Sequence, residues 1–168
     1  GAKRARGLSL VLTRRQQPAV TVRRRELMGM RAAGTCEVFF DEAKAPADAV
    51  LGQRGRGWYH LLASLDEERI LCAAMYVGIT SAALDQTLQY AKDRQAFGRS
   101  IGAFQAVQHP LAEIATELEQ IRLLTAKAAW LQSNQRECST EAAMAKLAAT
   151  ETAIRATDRC MRVLAGYG

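Results

Sequence analysis

The sequence predicts a mainly α chain, in which a partial β-domain segment leads into the long antiparallel helices of a four-helix-bundle domain, three of them present. Apolar residues recur at steps of three and four over most of residues 58–164. The composition is 49% hydrophobic but only 6% aromatic, and alanine and leucine are abundant, which favours helix. Short β-branched runs bounded by turn residues occur only ahead of Gly57. The 168 residues therefore divide into a β segment with its linker, 1–56, and a truncated helical domain, 57–168.

The runs LSLVLT (8–13) and AVTVR (19–23) flank a polar RRQQP turn and read as strands, with Pro18 bounding the second. A third, at 36–40, follows the turn at Gly34 and stops at Asp41 and Glu42. The stretch KAPADAVLGQRGRG reads as a linker. From Trp58 the period changes: Trp58, Leu61, Leu62, Leu65, Cys72, Met75, Tyr76 and Ile79 form an apolar stripe that continues through Leu84 and Leu88 to about Lys92. A helix of roughly 35 residues is about 50 Å long. A second helix starts near Phe104 and runs to about Ser133, with Val107, Leu111, Ile114, Leu118, Ile121, Thr125 and Ala128 inward and Pro110 early, where a missing amide costs least. A third follows the cap region at Cys138, Ser139 and Thr140, carries Met144, Leu147, Ile154, Met161 and Leu164, and ends at Gly166-Tyr167-Gly168. Both ends read as cuts through a longer protein.

Charge is uneven. Residues 1–25 hold eight lysines and arginines and no acid, whereas the remainder carries 15 basic and 17 acidic residues. A basic arm fits nucleic acid or nucleotide phosphates, but no aromatic side chain is interleaved to stack on bases, and outward arginines on strands explain it equally well. Cys36, Cys72, Cys138 and Cys160 are widely spaced with no CxxC pair, and His60 and His109 are isolated, which argues against a metal site and a disulfide framework. No apolar run approaches the ~18 residues that span a bilayer. A soluble, intracellular protein is expected.

Two stretches carry chemistry. In Leu65-Asp66-Glu67-Glu68-Arg69, Glu68 lies three residues after Leu65 and four before Cys72, on the expected buried stripe, where a carboxylate is costly unless paired or working. Pairing with Arg69 or a neighbouring helix is the plainer alternative, and Asp66 and Glu67 are expected in solvent. The hinge DRQAFGRSIGAFQAVQ (93–108) combines Arg94 and Arg99, turns at Gly98 and Gly102, a ring, and the amides of Gln105 and Gln108. Arginine forks, a ring and amides suit a flat, phosphorylated ligand. A solvated connector has the same composition.

In order and spacing these features resemble the acyl-CoA dehydrogenase family: MGMRAAGTCEVFFDEAKAPADAVLG is similar to the end of its middle β domain, LDEERI to its first C-terminal helix, DRQAFGRSIGAFQAVQ to its flavin loop and AGYG to the end of its third helix. The resemblance implies an FAD-dependent enzyme that oxidises the Cα–Cβ bond of an acyl-CoA thioester, a glutamate removing the α-proton while the β-hydride passes to flavin N5. Glu68, immediately before Arg69, matches one of two family positions for that glutamate; the other lies beyond residue 168. Asp66, Glu67 and Arg69 fall in the segment that contacts substrate. Arg94, Phe97 and Gln105 match positions holding the adenosine-diphosphate half of FAD. At the third-helix end the family often has Gln-x-x-Gly-Gly-x-Gly; here Arg162 replaces the glutamine and Ala165 the first glycine, while Gly166 and Gly168 still allow close backbone approach to FAD.

The resemblance further implies a homo-oligomer, dimer or tetramer, because the family's loop holds the FAD of a neighbouring chain, and an electron-transfer flavoprotein as acceptor. It places the protein in a bacterial cytoplasm or, in a eukaryote, the mitochondrial matrix, with no membrane and no nucleic-acid partner. Three alternatives stay open: a DNA-binding relative using the basic N-terminal segment, a flavin-dependent acyl-CoA oxidase, and a helical interaction module without catalysis.

Overall fold

A computed structural model describes residues 7–168, with the side chain of Ala63 left aside. Two compact units divide between residues 63 and 64.

In the first unit, β1 (Leu10–Val11) pairs antiparallel with β4 (Val50–Leu51), and β2 (Val20–Arg24) with β3 (Cys36–Phe40). Val22 faces Val38 and Thr21 faces Phe39, so β-branched and aromatic residues meet across the ladder. β4 lies in the stretch expected to be linker; two residues are too few to leave an alternation in sequence. The chain then approaches α1 (Gly57–Asp93) closely: a Cβ on Gly57 would stand 2.7 Å from the Leu10 nitrogen, so only glycine fits there.

The second unit is helical. α1 is followed by a hairpin of β5 (Gln95–Ala96) and β6 (Arg99–Ser100), then α2 (Gln105–Ser133) and α3 (Ser139–Leu164). Pro110 is absorbed within α2. Ion pairs give the packing direction. Lys127 meets Glu141 at 3.2 Å and Glu113 meets Arg159 at 3.5 Å, so α2 and α3 run antiparallel. Asp66 bonds Ser139 near the start of both helices and Tyr90 meets Tyr167 at 6.0 Å near their ends, so α1 and α3 run parallel. This is the up-down-up arrangement expected of three bundle helices.

The core departs from expectation on two of the three helices. On α2, Leu111, Ile114, Leu118, Ile121, Thr125 and Ala128 are all buried. On α1 the buried line is Ile70, Ala73, Thr80, Leu84, Thr87 and Ala91, and on α3 it is Ala142, Ala145, Ala149, Thr152, Ala153, Ala156 and Cys160. Met75, Ile79, Met144, Leu147, Ile154 and Met161, all expected inside, are exposed. On α3 the reason is close helix approach: its alanines let it come near the leucine and isoleucine ridge of α2, leaving no room for larger side chains. Thr80, Thr87 and Thr125 satisfy their buried hydroxyls by donating to the carbonyl one turn back, at 2.7–2.8 Å. No helix among the described residues is long and apolar enough to cross a membrane.

Candidate functional site

The acidic turn of α1 differs from its expected form. The core line of α1 passes through Ile70 and Ala73, and Glu68, two residues before Ile70, points to the opposite side and is exposed. Its placement on a buried stripe is therefore corrected: further along α1 the expected Tyr76, Leu84 and Leu88 do reach the core, but at the level of Glu68 the packing line runs through Ile70 and Ala73. Asp66, expected in solvent, is instead mostly buried at 17% side-chain exposure. Its Oδ1 accepts a hydrogen bond from the Arg69 guanidinium at 2.7 Å, and Ser139 Oγ donates to its Oδ2. Arg69 is half-buried; Glu67 is exposed. The carboxylate of Glu68 has no hydrogen bond or ion pair among the described residues.

Below Ser139, the Cys138 thiol is buried and donates to Gln132 Oε1 at 2.9 Å, joining the end of α2 to the start of α3. Burial first, and then the charges of Asp66, Glu141 and Glu137, hold its pKa above the ordinary thiol value.

The hinge is a defined two-residue β-hairpin. Phe97 and Gly98 occupy its turn with φ of 53° and 79°, the left-handed pair that matches strand twist. Asparagine and glycine are the usual occupants; a phenylalanine there is strained. The residue is 95% exposed, its ring meeting the Phe104 ring edge-on at 6.1 Å between centroids, while the Arg99 guanidinium lies 4.2 Å from the Phe104 centroid. The hairpin is anchored by Ile101 N–H donating to the Arg94 carbonyl at 2.9 Å and by the Gln108 side chain donating to the Gly102 carbonyl at 2.8 Å. Arg94 and Gln105 are exposed, and neither side chain is bonded among the described residues.

The turn after α3 lies at the same end of the bundle, with the Tyr167 ring 6.0 Å from that of Tyr90. Ala165 has φ 53° and ψ −119°, which an L side chain rarely adopts. Arg162 is exposed and paired with Asp158 at 3.0 Å, and a Cβ on Gly166 would meet nothing within 4 Å.

The structure thus joins Asp66, Arg69 and Ser139 at one place, with Glu67 and Glu68 exposed on the same turn, and carries Arg94, Phe97 and Gln105 past the far end of α1, the end at which Tyr90 meets Tyr167. Glu68 precedes Asp93 in the same helix by 25 residues, a separation of about 38 Å. Sequence reading missed Ser139 as a partner, since nothing local links residues 73 apart. It also missed the stacking of Arg99 on Phe104; a hairpin register, once seen in the four-residue AFGR, would have exposed it.

The exposed, strained Phe97 ring with unpaired Arg94 and Gln105 at hand fits one side of a flat, phosphorylated cofactor such as FAD. Among the described residues no cluster of histidine, cysteine and acidic side chains is placed to hold a metal ion. Of the N-terminal arginines, the part at 1–6 lies outside the described residues. Arg23 stacks on Phe39 at 5.2 Å, Arg24 donates to the Arg31 carbonyl at 2.9 Å and Arg25 pairs with Glu37 at 3.1 Å.

The family model for the C-terminal domain of acyl-CoA dehydrogenase matches residues 55–168. The short-chain specific acyl-CoA dehydrogenase of Bos taurus mitochondria is 40% identical over 164 residues, covering 97% of this chain and 40% of its own length. A crystal structure of acyl-CoA dehydrogenase from Geobacillus kaustophilus superposes with a TM-score of 0.94 at 36% identity, over 99% of this chain and 44% of that one. A structure described for the electron-transferring flavoprotein of Acidaminococcus fermentans superposes with a TM-score of 0.93 at 33% identity, over 99% of this chain and 44% of that one. The chain thus spans less than half the length of these relatives. The chain therefore belongs to the acyl-CoA dehydrogenase family, its residues 55–168 matching that family's C-terminal domain.

Proposed function

We propose that this chain is the C-terminal part of an enzyme that dehydrogenates the Cα–Cβ bond of an acyl-CoA thioester with FAD as cofactor, and that Glu68 is the base that takes the α-proton. The observation that carries the reading is the contrast within one helical turn: Asp66 is engaged by Arg69 and Ser139, whereas Glu68 keeps an exposed and unpartnered carboxylate. FAD, when bound, supplies the acceptor for the β-hydride.

The chain's own groups do the rest. A carboxylate in water is a weak base. When an acyl chain covers Glu68 and excludes solvent, the carboxylate faces the α-carbon with no water between them, the placement a general base needs. The rigid helix holds that carboxylate at a fixed height beside Arg69, whose guanidinium is tied to Asp66 at one nitrogen and offers its remaining donors to the polar part of the substrate. At the other end of α1, Arg94 offers a charged donor to pyrophosphate, Phe97 a ring face and Gln105 an amide. The 38 Å scale of separation, about the length of 25 helical residues, argues that this hairpin serves the FAD of a neighbouring chain in a homo-oligomer. An electron-transfer flavoprotein is the proposed acceptor.

The test is anaerobic mixing of acyl-CoA with the full-length protein carrying Glu68→Gln. Substrate binding without bleaching of the flavin is expected; rapid bleaching would remove Glu68 from the role.

A further inference from the structure

Ser139 is the first residue of α3, after the N-cap position held by the buried Cys138, whose side chain makes no cap bond. The Ser139 hydroxyl is directed away from its own helix: its Oγ donates to Asp66 Oδ2, 73 residues away on α1. With Arg69 on Oδ1 at 2.7 Å, each oxygen of the mostly buried Asp66 has its own donor. On the other side, the Cys138 thiol bonds Gln132 at 2.9 Å. One short segment of chain, 138–139, therefore ties the end of α2 and the start of α3 to the turn of α1 that carries Glu68.

We propose that Ser139 is a positioning residue for this reaction: by bonding Asp66 it fixes the 66–69 turn against the start of α3 and so sets where the Glu68 carboxylate and the Arg69 guanidinium stand relative to substrate. The inference rests on the assignment of Glu68 as base. Without the hydroxyl, Asp66 Oδ2 turns to water, the Asp66–Arg69 pair gains freedom, and the turn loses this side-chain bond to α3. Misplacing a base affects the reacting geometry more than ground-state binding, so the loss falls on the rate of flavin reduction rather than on KM.

The experiment is stopped-flow reduction of the full-length flavoprotein by acyl-CoA, normalised to bound flavin, for Ser139→Ala, Ser139→Thr and Ser139→Cys. The alanine variant is expected to lose about tenfold in limiting rate, with KM changed by less than about twofold. Threonine, which keeps the hydroxyl, restores the rate, and cysteine, a weak donor of similar shape, falls between. Thr140→Ala, which removes the neighbouring hydroxyl, leaves the rate unchanged. An alanine variant with full rate per flavin, or one whose deficit lies wholly in flavin content, thermal stability or KM, overturns the proposal. Should the alanine variant not fold, an unaltered rate in Ser139→Cys overturns it equally. Glu68→Gln, run in parallel, separates the two failures: continued rapid bleaching there removes the base assignment, whereas an inert Glu68→Gln beside a fully active Ser139→Ala removes only the positioning role.

Discussion

A Cβ placed on Gly102 would stand 3.0 Å from the carbonyl oxygen of Ala91. The short turn leading into α2 therefore rests directly on the last turns of α1, and the hairpin between them inherits its position from this contact. Because the obstacle is backbone, it moves only by shifting the hairpin or the helix end. Gly102→Ala is expected to lower unfolding stability by about 1–2 kcal/mol, as overpacking does. Chemical denaturation measures it; an unchanged midpoint shows that the turn yields freely.

Phe97 sets local strain against ligand contact. A non-glycine residue in the left-handed region costs roughly 1–2 kcal/mol, and asparagine bears it best. Phe97→Asn is accordingly expected to raise the stability of the flavin-free protein by about 0.5–1 kcal/mol, while flavin retained through gel filtration falls. Thermal unfolding of the apoprotein and the flavin-to-protein absorbance ratio report the two effects separately.

Ala165 occupies a conformation that favours glycine, φ 53° and ψ −119°. Relieving strain of this kind gives about 1–3 kcal/mol, less the greater freedom glycine has in the unfolded chain. Ala165→Gly is expected to be stabilising by about 1 kcal/mol. A fall in the melting temperature would contradict the backbone geometry at the end of α3.

Glu141, in the first turn of α3, has its pKa held below the ordinary 4.5, first by a backbone amide hydrogen bond and then by Lys127 at 3.2 Å. Its charged form is thus favoured by folding. The stabilisation is complete above pH 4.5 and drains away as pH falls below that value towards the lower folded pKa. Denaturant midpoints taken from about pH 6 down to about pH 3, which bracket the ordinary carboxylate range, are expected to show a shallower acid decline in Glu141→Gln.

Helix boundaries were legible in sequence because caps, glycines and a change of period mark them. The face of each helix was legible only on α2, where Leu111, Ile114, Leu118 and Ile121 are both the largest apolar residues and the buried ones. On α3, hydrophobic size points to Leu147, Ile154 and Met161, while Ala145, Ala149 and Ala156 do the packing. Alanine is buried wherever helices approach closely, and its small side chain adds little to an apolar pattern. The same misreading of phase moved Glu68 onto the wrong side of α1. The ligand-type residues of the 93–108 stretch were legible as chemistry, but not as a hairpin, since Phe-Gly lacks the Asn-Gly signal that announces a two-residue turn. The Asp66–Ser139 bond was out of reach, because it is set by the parallel registry of α1 and α3.

That registry also has a genetic meaning. Glu68 stands in the first third of α1 and the Phe97 hairpin follows its last residue, so under the proposed function a lesion in each damages a different catalytic centre of an oligomer. Two inactive alleles, Glu68→Gln and Arg94→Ala, co-expressed in one cell, are then able to rebuild a wild-type centre in mixed assemblies, where one subunit donates an intact base and its neighbour an intact hairpin. The length of α1 turns what would be two recessive defects into a complementing pair.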